Sequence, residues 1–419
     1  MSGPAAAADS GALPPLWRQR NYMLLWIGAV GSALGGHAAG IAYPLLVLAI
    51  TGSPATVGLV SALRGTPYLL LSLPVGAMVD RWDRRRVMLR CELGCAAAVG
   101  SLALALVLGR ATLAHILVVA VVEGTLATFY NLAQVAAIPR VVPRPQLAQA
   151  TAQNQAGWAA AGVAGPALGT ALYQWARALP FGLDALSYLV SAATLWRLQG
   201  RFEPEPRSGP SHLLTDMKQG LAWLWAEALV RRMALLTGGL NFVQAAVPLL
   251  LIVSAQQLGA SPAQIGMIFS AAGVGGVLGA ALGARVQRWF SFGQVIATTV
   301  GLQALLFPLY ALAPSPLWLG VVYGLIMFLA PVYNVVQLSH RLALIPAGLE
   351  GRVNASFRFT AHLLIPVGAA LCGLAIEHLG TGVTLAGFAS VLGLLALVAV
   401  GDPVIRHTRS VTAATVVRP

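Results

Sequence analysis

The sequence predicts an all-α membrane protein, with twelve transmembrane helices arranged as two pseudo-symmetric six-helix bundles. Three observations predict it. The chain is 58% hydrophobic and 9% charged, against about 25% charged for a soluble domain, which is too little charge to clothe a globular surface in water. Its apolar residues gather into stretches long enough to cross a bilayer, which takes about 20 residues each. Three short motifs also recur, in order, about half a chain apart.

Taken in order, residues 1–21 form a cytoplasmic N-terminal tail, whose Ala/Pro/Gly-rich stretch from Met1 to Leu16 has no basic opening and no short apolar core and so reads as disordered rather than as a signal peptide. Residues 22–198 hold six spans, at 22–48, 55–79, 87–108, 112–137, 150–176 and 180–197. Residues 199–232 are the longest polar stretch. They read as a central linker followed by an interfacial helix over 213–229, with Leu214, Met217, Leu221, Leu224 and Trp225 opposite Asp216, Lys218 and Gln219. Residues 233–400 hold six more spans. The windows 233–284 and 289–340 contain no Asp, Glu, Lys or Arg. Each is too long for one span and breaks at Ser261-Pro262 or at Pro314-Ser-Pro316. The expected spans are 233–256, 263–286, 293–312, 317–338, 354–376 and 381–400, and residues 401–419 are a cytoplasmic tail.

Cations orient the bundle. With the N-terminus in the cytoplasm, 23 of the 26 Lys and Arg residues fall in cytoplasmic segments, the bias expected of a multi-pass protein of the inner (cytoplasmic) membrane with both termini inside. Arg110 and Arg177 face outward, and Arg64 lies within the second span.

Duplication explains the two halves. Ser53-Pro-Ala-Thr-Val-Gly58 returns as Ser261-Pro-Ala-Gln-Ile-Gly266, Gly76-Ala-Met-Val-Asp-Arg-Trp82 as Gly283-Ala-Arg-Val-Gln-Arg-Trp289, and Tyr130-Asn-Leu-Ala-Gln134 as Tyr333-Asn-Val-Val-Gln337. Parallel six-span halves are a known transporter plan, with the substrate site between them near the midplane. The second copy has Gln287 in place of Asp80 and lacks the arginine cluster.

Composition also excludes functions. Of the 26 cations, 25 are arginine, confined to short loops with no aromatic-interleaved basic face, so nucleic acid is not a partner. Cys91, Cys95 and Cys372 fall in apolar stretches and read as packing residues, with neither zinc-ligand nor disulfide-framework spacing. The single lysine, Lys218, follows Met217, so there is no phosphate-binding loop. With no nucleophile-elbow or zinc-protease signature and no carboxylate-rich metal cluster, the chain reads as neither an enzyme nor a metalloprotein. It needs no cofactor, and its energy comes most simply from a proton gradient.

Charges inside a membrane are costly and mark function or a partner. Arg64 and Glu123 each lie about nine to eleven residues in from the outer face, roughly 13–17 Å deep, and His37 reaches a comparable level in the first span. Glu123 reads as the proton-carrying acid, with Arg64 as its counter-charge and His37 nearby. Desolvation favours the neutral acid and a nearby cation the carboxylate, so a change in their separation loads or releases a proton. A permanent structural Arg64–Glu123 pair is the alternative. His362 and Asp184 are weaker candidates, with Asp184 read as a helix-start cap. Small-residue stripes at Gly275, Gly279 and Gly283, and at Gly28, Ser32, Gly36 and Gly40, predict close helix contacts.

Gly76-x-x-x-Asp80-Arg81-x-x-Arg84-Arg85-Arg86 resembles motif A of the major facilitator superfamily, with Asp83 where that motif usually has Gly. Gly162-Val-Ala-Gly165-Pro166-Ala-Leu-Gly169 is similar to the antiporter motif of exporters in that superfamily, with Thr170 replacing the last Gly. Leu16-Trp-Arg-Gln-Arg-Asn21, Asp184-Ala-Leu-Ser-Tyr188 and Gly351-Arg-Val-Asn-Ala355 resemble its drug-exporter branch, which includes macrolide and siderophore exporters. The resemblance implies the major facilitator fold and an inter-half gate at Gly76, Asp80, Arg81 and Arg84–Arg86. It also implies a cavity walled by spans 1, 4, 7 and 10. Those spans offer Tyr43, Tyr130, Asn131, Gln134, Asn241, Gln244, Tyr323, Tyr333, Asn334 and Gln337 to a substrate. The expected function is export of a small apolar or amphipathic molecule (drug, antibiotic, siderophore or other metabolite) by proton antiport, working as a monomer. An importer or proton symporter of the same fold and a non-transporting receptor or scaffold are the alternatives.

Overall fold

The computed structural model describes residues 14–79, 81–200, 202, 213–346, 349–406 and 408. The first half holds α1 (Arg20–Thr51), α2 (Pro54–Val79), α3 (Arg84–Val107), α4 (Leu113–Val141), α5 (Leu147–Trp175) and α6 (Leu179–Trp196). A short α7 (Leu213–Ala226) precedes α8 (Ala228–Gln257), α9 (Pro262–Trp289), α10 (Phe292–Leu306) and α11 (Pro316–Leu344). The chain then forms α12 (Glu350–His362), α13 (Ile365–Gly401) and α14 (Pro403–Arg406).

Twelve spans result. Spans 11 and 12 together run from α12 through α13 and part at Gly380, whose φ of 81° lies in the left-handed region that suits glycine. Eight helical segments among the described residues are long and apolar enough to cross a membrane, one of them the long run Glu350–Gly401 that holds two spans. The others, α2, α5 and α6, carry polar groups into the bundle. One expectation is corrected here. Span 11 is not one continuous helix, because α12 ends at His362 and helix resumes at Ile365. Pro366 has no N–H to give and its ring crowds the carbonyl one turn back, so the ladder breaks just ahead of it.

The halves repeat their packing. In the first, α1 lies on α5 and α6, α4 on α2 and α3, and α3 on α6. In the second, α8 lies on α13, α11 on α9 and α10, and α10 on α13. They meet along two seams, α5 on α9 and α2 on α13. At the start of α2, Ser53 Oγ and the Ala55 N–H both donate to Glu377 Oε2, the latter at 3.0 Å. Gly58 sits so close to α13 that a Cβ there would lie 2.6 Å from the Ala369 carbonyl. Ahead of the second half, α7 packs on α12, with Leu224 fully buried while Leu221 and Trp225 are exposed.

The two glycine stripes differ. Gly275 and Gly279 press α9 onto the backbone carbonyls of Gly324 and Phe328 in α11, as small residues do where helices touch in lipid. On α1 the expected stripe does not make a helix contact along its length. Gly28 and Gly35 meet Ser191 and Ser187 of α6, whereas Ser32, Gly36 and Gly40 line a cavity. A four-residue step drifts around a helix of 3.6 residues per turn, so Gly35 and not Gly36 stays on the face of Gly28.

Gly279→Leu forces α9 off the Phe328 carbonyl and costs about 1–3 kcal/mol, whereas Gly31→Ala, with open space around it, costs nothing. Thermal unfolding of the purified variants checks both.

Candidate functional site

Two adjoining cavities lie inside the first half and at its border with the second. One, of ≈ 430 Å³, is walled by α1, α3, α4, α5 and α6 with Arg64 of α2, and closed by Pro248 of α8 and Phe269 of α9. The other, of ≈ 390 Å³, is lined by α1, α2 and α4. Arg64, Glu123 and Asn131 face both.

Glu123 is 2% exposed and fully partnered. Arg64 Nη2 donates to its Oε1 at 2.5 Å, Tyr188 Oη to the same oxygen at 3.3 Å, and Tyr43 Oη to Oε2 at 2.9 Å. The guanidinium also lies 5.0 Å from the centroid of the Tyr43 ring, a cation–π contact. Gly124 explains how α4 brings Glu123 to α2, because any side chain there would run into the backbone carbonyl of Arg64. His37 lines the same cavity and meets Trp158 edge-on at 6.5 Å. Among the described residues it makes no hydrogen bond to Arg64 or Glu123.

Two more acids are buried in this half. Asp184 has no exposure, and its Oδ2 has no partner. Its reading as a helix-start cap is corrected: α6 begins at Leu179 after Ala178, with no side-chain cap, and Asp184 sits more than a turn inside. Glu92 of α3 was not among the sequence candidates. Its Oε1 accepts from Ser191 Oγ at 3.0 Å, and its Oε2 has no partner. The signal was present in the periodicity, since Met88, Cys91, Glu92 and Cys95 share one apolar helix face. It was masked by the arginines just before it, which mark the membrane edge.

Of the ten polar or aromatic cavity candidates, Tyr43, Tyr130 and Asn131 line these cavities. The rest sit elsewhere. Tyr333 Oη pairs with Thr237 Oγ1 at 2.8 Å, Asn241 Nδ2 donates to the Ala361 carbonyl at 2.8 Å, and Tyr323 meets Phe269 edge-on at 5.7 Å. Gln134 and Gln337 are buried, and the amide nitrogen of each lacks a partner. Gln244 is half-buried and Asn334 is exposed. His362 engages the Arg358 carbonyl at 2.8 Å, one turn earlier on its own helix.

In the basic turn, Asp80 lies outside the described residues. Gly76 is near the end of α2, and Arg81 N–H continues the turn to the Met78 carbonyl at 3.0 Å. Asp83 caps α3, its Oδ1 accepting the Arg86 N–H at 3.0 Å, with a φ of −62° that needs no glycine. Arg85 reaches across to α6, donating to the Leu195 carbonyl at 2.9 Å and to the Trp196 carbonyl. A cation there suits the negative end of a helix. Arg84 is tied by its N–H to the Phe202 carbonyl. In α5, Gly165 and Gly169 abut His37 and Ala38 of α1, while the Gly162 and Pro166 carbonyls lie so close to α9 that a Cβ on Gly273 or Gly266 would crowd them. The Thr170 hydroxyl bonds back to the Pro166 carbonyl at 2.9 Å, as threonines inside helices do. Asp83→Ala removes the α3 cap and costs about 1 kcal/mol, whereas Asp83→Asn and Asp83→Gly cost a few tenths. Thermal unfolding of the three variants orders them.

The chain matches the family described as transmembrane secretion effectors over residues 10–414. It is 27% identical over 410 residues to the multidrug efflux pump Tap of Mycolicibacterium fortuitum, covering 92% of this chain and 96% of that protein. It is 28% identical over 337 residues to the enterobactin exporter EntS of Escherichia coli O1:K1, covering 80% of each. Two solved structures share the fold. The nucleoside transporter NupG superposes with a TM-score of 0.72 at 12% identity, over 91% of this chain and 98% of that one. A bacterial homologue of the iron transporter ferroportin, in an inward-facing state, gives 0.71 at 15% identity, over 93% and 99%. Motif, fold and family match agree, and the chain belongs to the transmembrane secretion effector family of the major facilitator superfamily.

Proposed function

We propose that the protein exports a small apolar or amphipathic molecule across the cytoplasmic membrane by proton antiport, alternating access between the two faces. The single observation that carries the coupling is Glu123, a buried acid held by Arg64, Tyr43 and Tyr188 on the wall of both cavities. A proton taken up by Glu123 cancels its attraction to Arg64, so α2 and α4 feel the protonation state directly. Export rather than import is supported by the two relatives named as exporters. The nucleoside transporter shares only the fold.

In this reading both termini lie in the cytoplasm, and the Ser53–Glu377 contact closes the outer end of the cleft. The basic turn from Gly76 to Arg86, with Asp80 at its centre, acts at the opposite end when the halves close there. The working unit is a monomer, and no cofactor beyond the proton gradient is needed.

Everted membrane vesicles carrying the protein accumulate ethidium when their lumen is acidified. Glu123→Gln lowers this pH-driven accumulation at least tenfold, with the protein still present and monodisperse. Intact pH-driven accumulation in that variant removes the proton role of Glu123. A drug-susceptibility panel with and without the gene identifies the compounds exported.

A further inference from the structure

Glu92 is a buried acid with no assigned role in the Glu123 pair. It is 2% exposed and lines the larger cavity. Only one of its oxygens is satisfied, by Ser191 Oγ at 3.0 Å. The other forms no hydrogen bond of its own, and neither does the hydroxyl of Tyr130, 8% exposed on the same cavity wall; the Tyr130 and Ser32 hydroxyls stand beside the carboxyl group.

The charged and titratable groups around this cavity come from five helices. α1 supplies His37, α2 supplies Arg64, and α4 supplies Glu123 and Tyr130. α6 supplies Tyr188 on the wall and Asp184 behind it, and α3 supplies Cys91 and Cys95 beside Glu92. Arg64 is engaged by Glu123, and His37 is turned against Trp158. Among the described residues, no cation forms an ion pair with Glu92. A buried carboxylate so placed either keeps its proton or is met by a cation from outside. The remaining wall is largely apolar, with Ala29, Ala33, Ile41, Pro248 and Phe269.

We propose that Glu92 is the docking point for the positive charge of the transported compound, an amphipathic organic cation whose apolar body occupies the ≈ 430 Å³ cavity. On binding, the carboxyl group of Glu92 releases its proton to water and the resulting carboxylate pairs with the cation, so the net charge of the site is unchanged. Ser191 holds one carboxylate oxygen, and Tyr130 stands on the same wall to bond a polar group of the cargo. This rests on the export reading above, and it divides the acids: Glu92 exchanges a proton for the charge of the cargo, while Glu123 exchanges its proton against its pairing with Arg64.

The purified protein is titrated with tetraphenylphosphonium and with uncharged triphenylphosphine oxide across a pH series in weak buffer. Wild type binds the cation and not the neutral compound, releases one proton per cation bound, and loses affinity about tenfold per pH unit where the proton competes. Glu92→Gln weakens cation binding at least tenfold and abolishes proton release, and Glu92→Asp restores both in part. Dicyclohexylcarbodiimide, which modifies buried protonated carboxyls, labels Glu92 in wild type, and the cation protects it. This second measurement needs no variant to fold. Unchanged cation binding and proton release in Glu92→Gln, equal binding of the neutral compound by wild type, or no protection of Glu92 each overturn the proposal. The export reading fails separately, if a pH gradient drives no flux through wild type.

Discussion

The Arg64–Glu123 pair constrains the rest of the first half. Two charges in a membrane protein are tolerated only when each is met, and removing one partner from a buried pair costs about 3–5 kcal/mol. Meeting that condition fixes several things at once. α4 must lie against α2, which Gly124 permits. Tyr43 must come from α1 and Tyr188 from α6 to fill the other acceptor sites of the carboxylate. Four helices therefore converge on one side chain. Whatever changes the charge of Glu123 acts on all four, and the cavities lie where they meet.

The duplicated halves have diverged in chemistry while keeping their packing. Among the described residues, the three buried acids, Glu92, Glu123 and Asp184, all belong to the first half. The charged groups buried in the second half, among the described residues, are His340 and Arg341. His340 stacks on Phe292 at 4.5 Å, and Arg341 lies 3.7 Å from the Phe357 ring centroid, so both are met by aromatic faces rather than by carboxylates. The repeated Tyr130–Gln134 and Tyr333–Gln337 pairs show the same split. All four residues are buried, yet Tyr130 lines a cavity beside acids, whereas Tyr333 is tied to Thr237 within its own half. One half carries the chemistry, and the other supplies a tightly packed surface for it to work against.

Much of this was legible in the sequence, because a bilayer imposes simple rules. Apolar length sets the spans, arginine placement sets the loops, and a charge mid-span demands a partner, which is how Arg64 and Glu123 could be matched before any coordinates. The failures have physical causes too. Glu92 lies only two turns beyond Arg84–Arg86, where charge counting sees the membrane edge and not a buried face. Asp184 follows a loop and looks like a cap, but Leu179-Pro180 starts the helix earlier and carries the acid inside. The interruption at Leu363–Leu364 is set by one proline acting a turn upstream. The family resemblance places the polar residues of spans 7 and 10 on the cavity wall, but side-chain direction there is decided by contacts such as Asn241 with the Ala361 carbonyl.

The two copies of the Ser-Pro-Ala motif carry the comparison one step further. In the second copy Ser261 caps α9 in a closed box, with Gln264 Oε1 accepting the Ser261 N–H at 2.8 Å and Ser261 Oγ accepting the Gln264 N–H at 3.3 Å. In the first copy Thr56 stands at the position of Gln264 and is too short to reach back. Ser53 still accepts the Thr56 N–H at 3.1 Å, and its own N–H turns back to Thr51 Oγ1 at 3.2 Å, while two further donors at this end, Ser53 Oγ and the Ala55 N–H, turn to Glu377 on the opposite half. An acid at a helix N-terminus is favoured by the helix dipole as well as by its hydrogen bonds. Parting α5 from α9 therefore leaves the cap of α9 intact. Parting α2 from α13 at this end strips α2 of an acceptor that only the other half provides, so the two seams are unequal by construction.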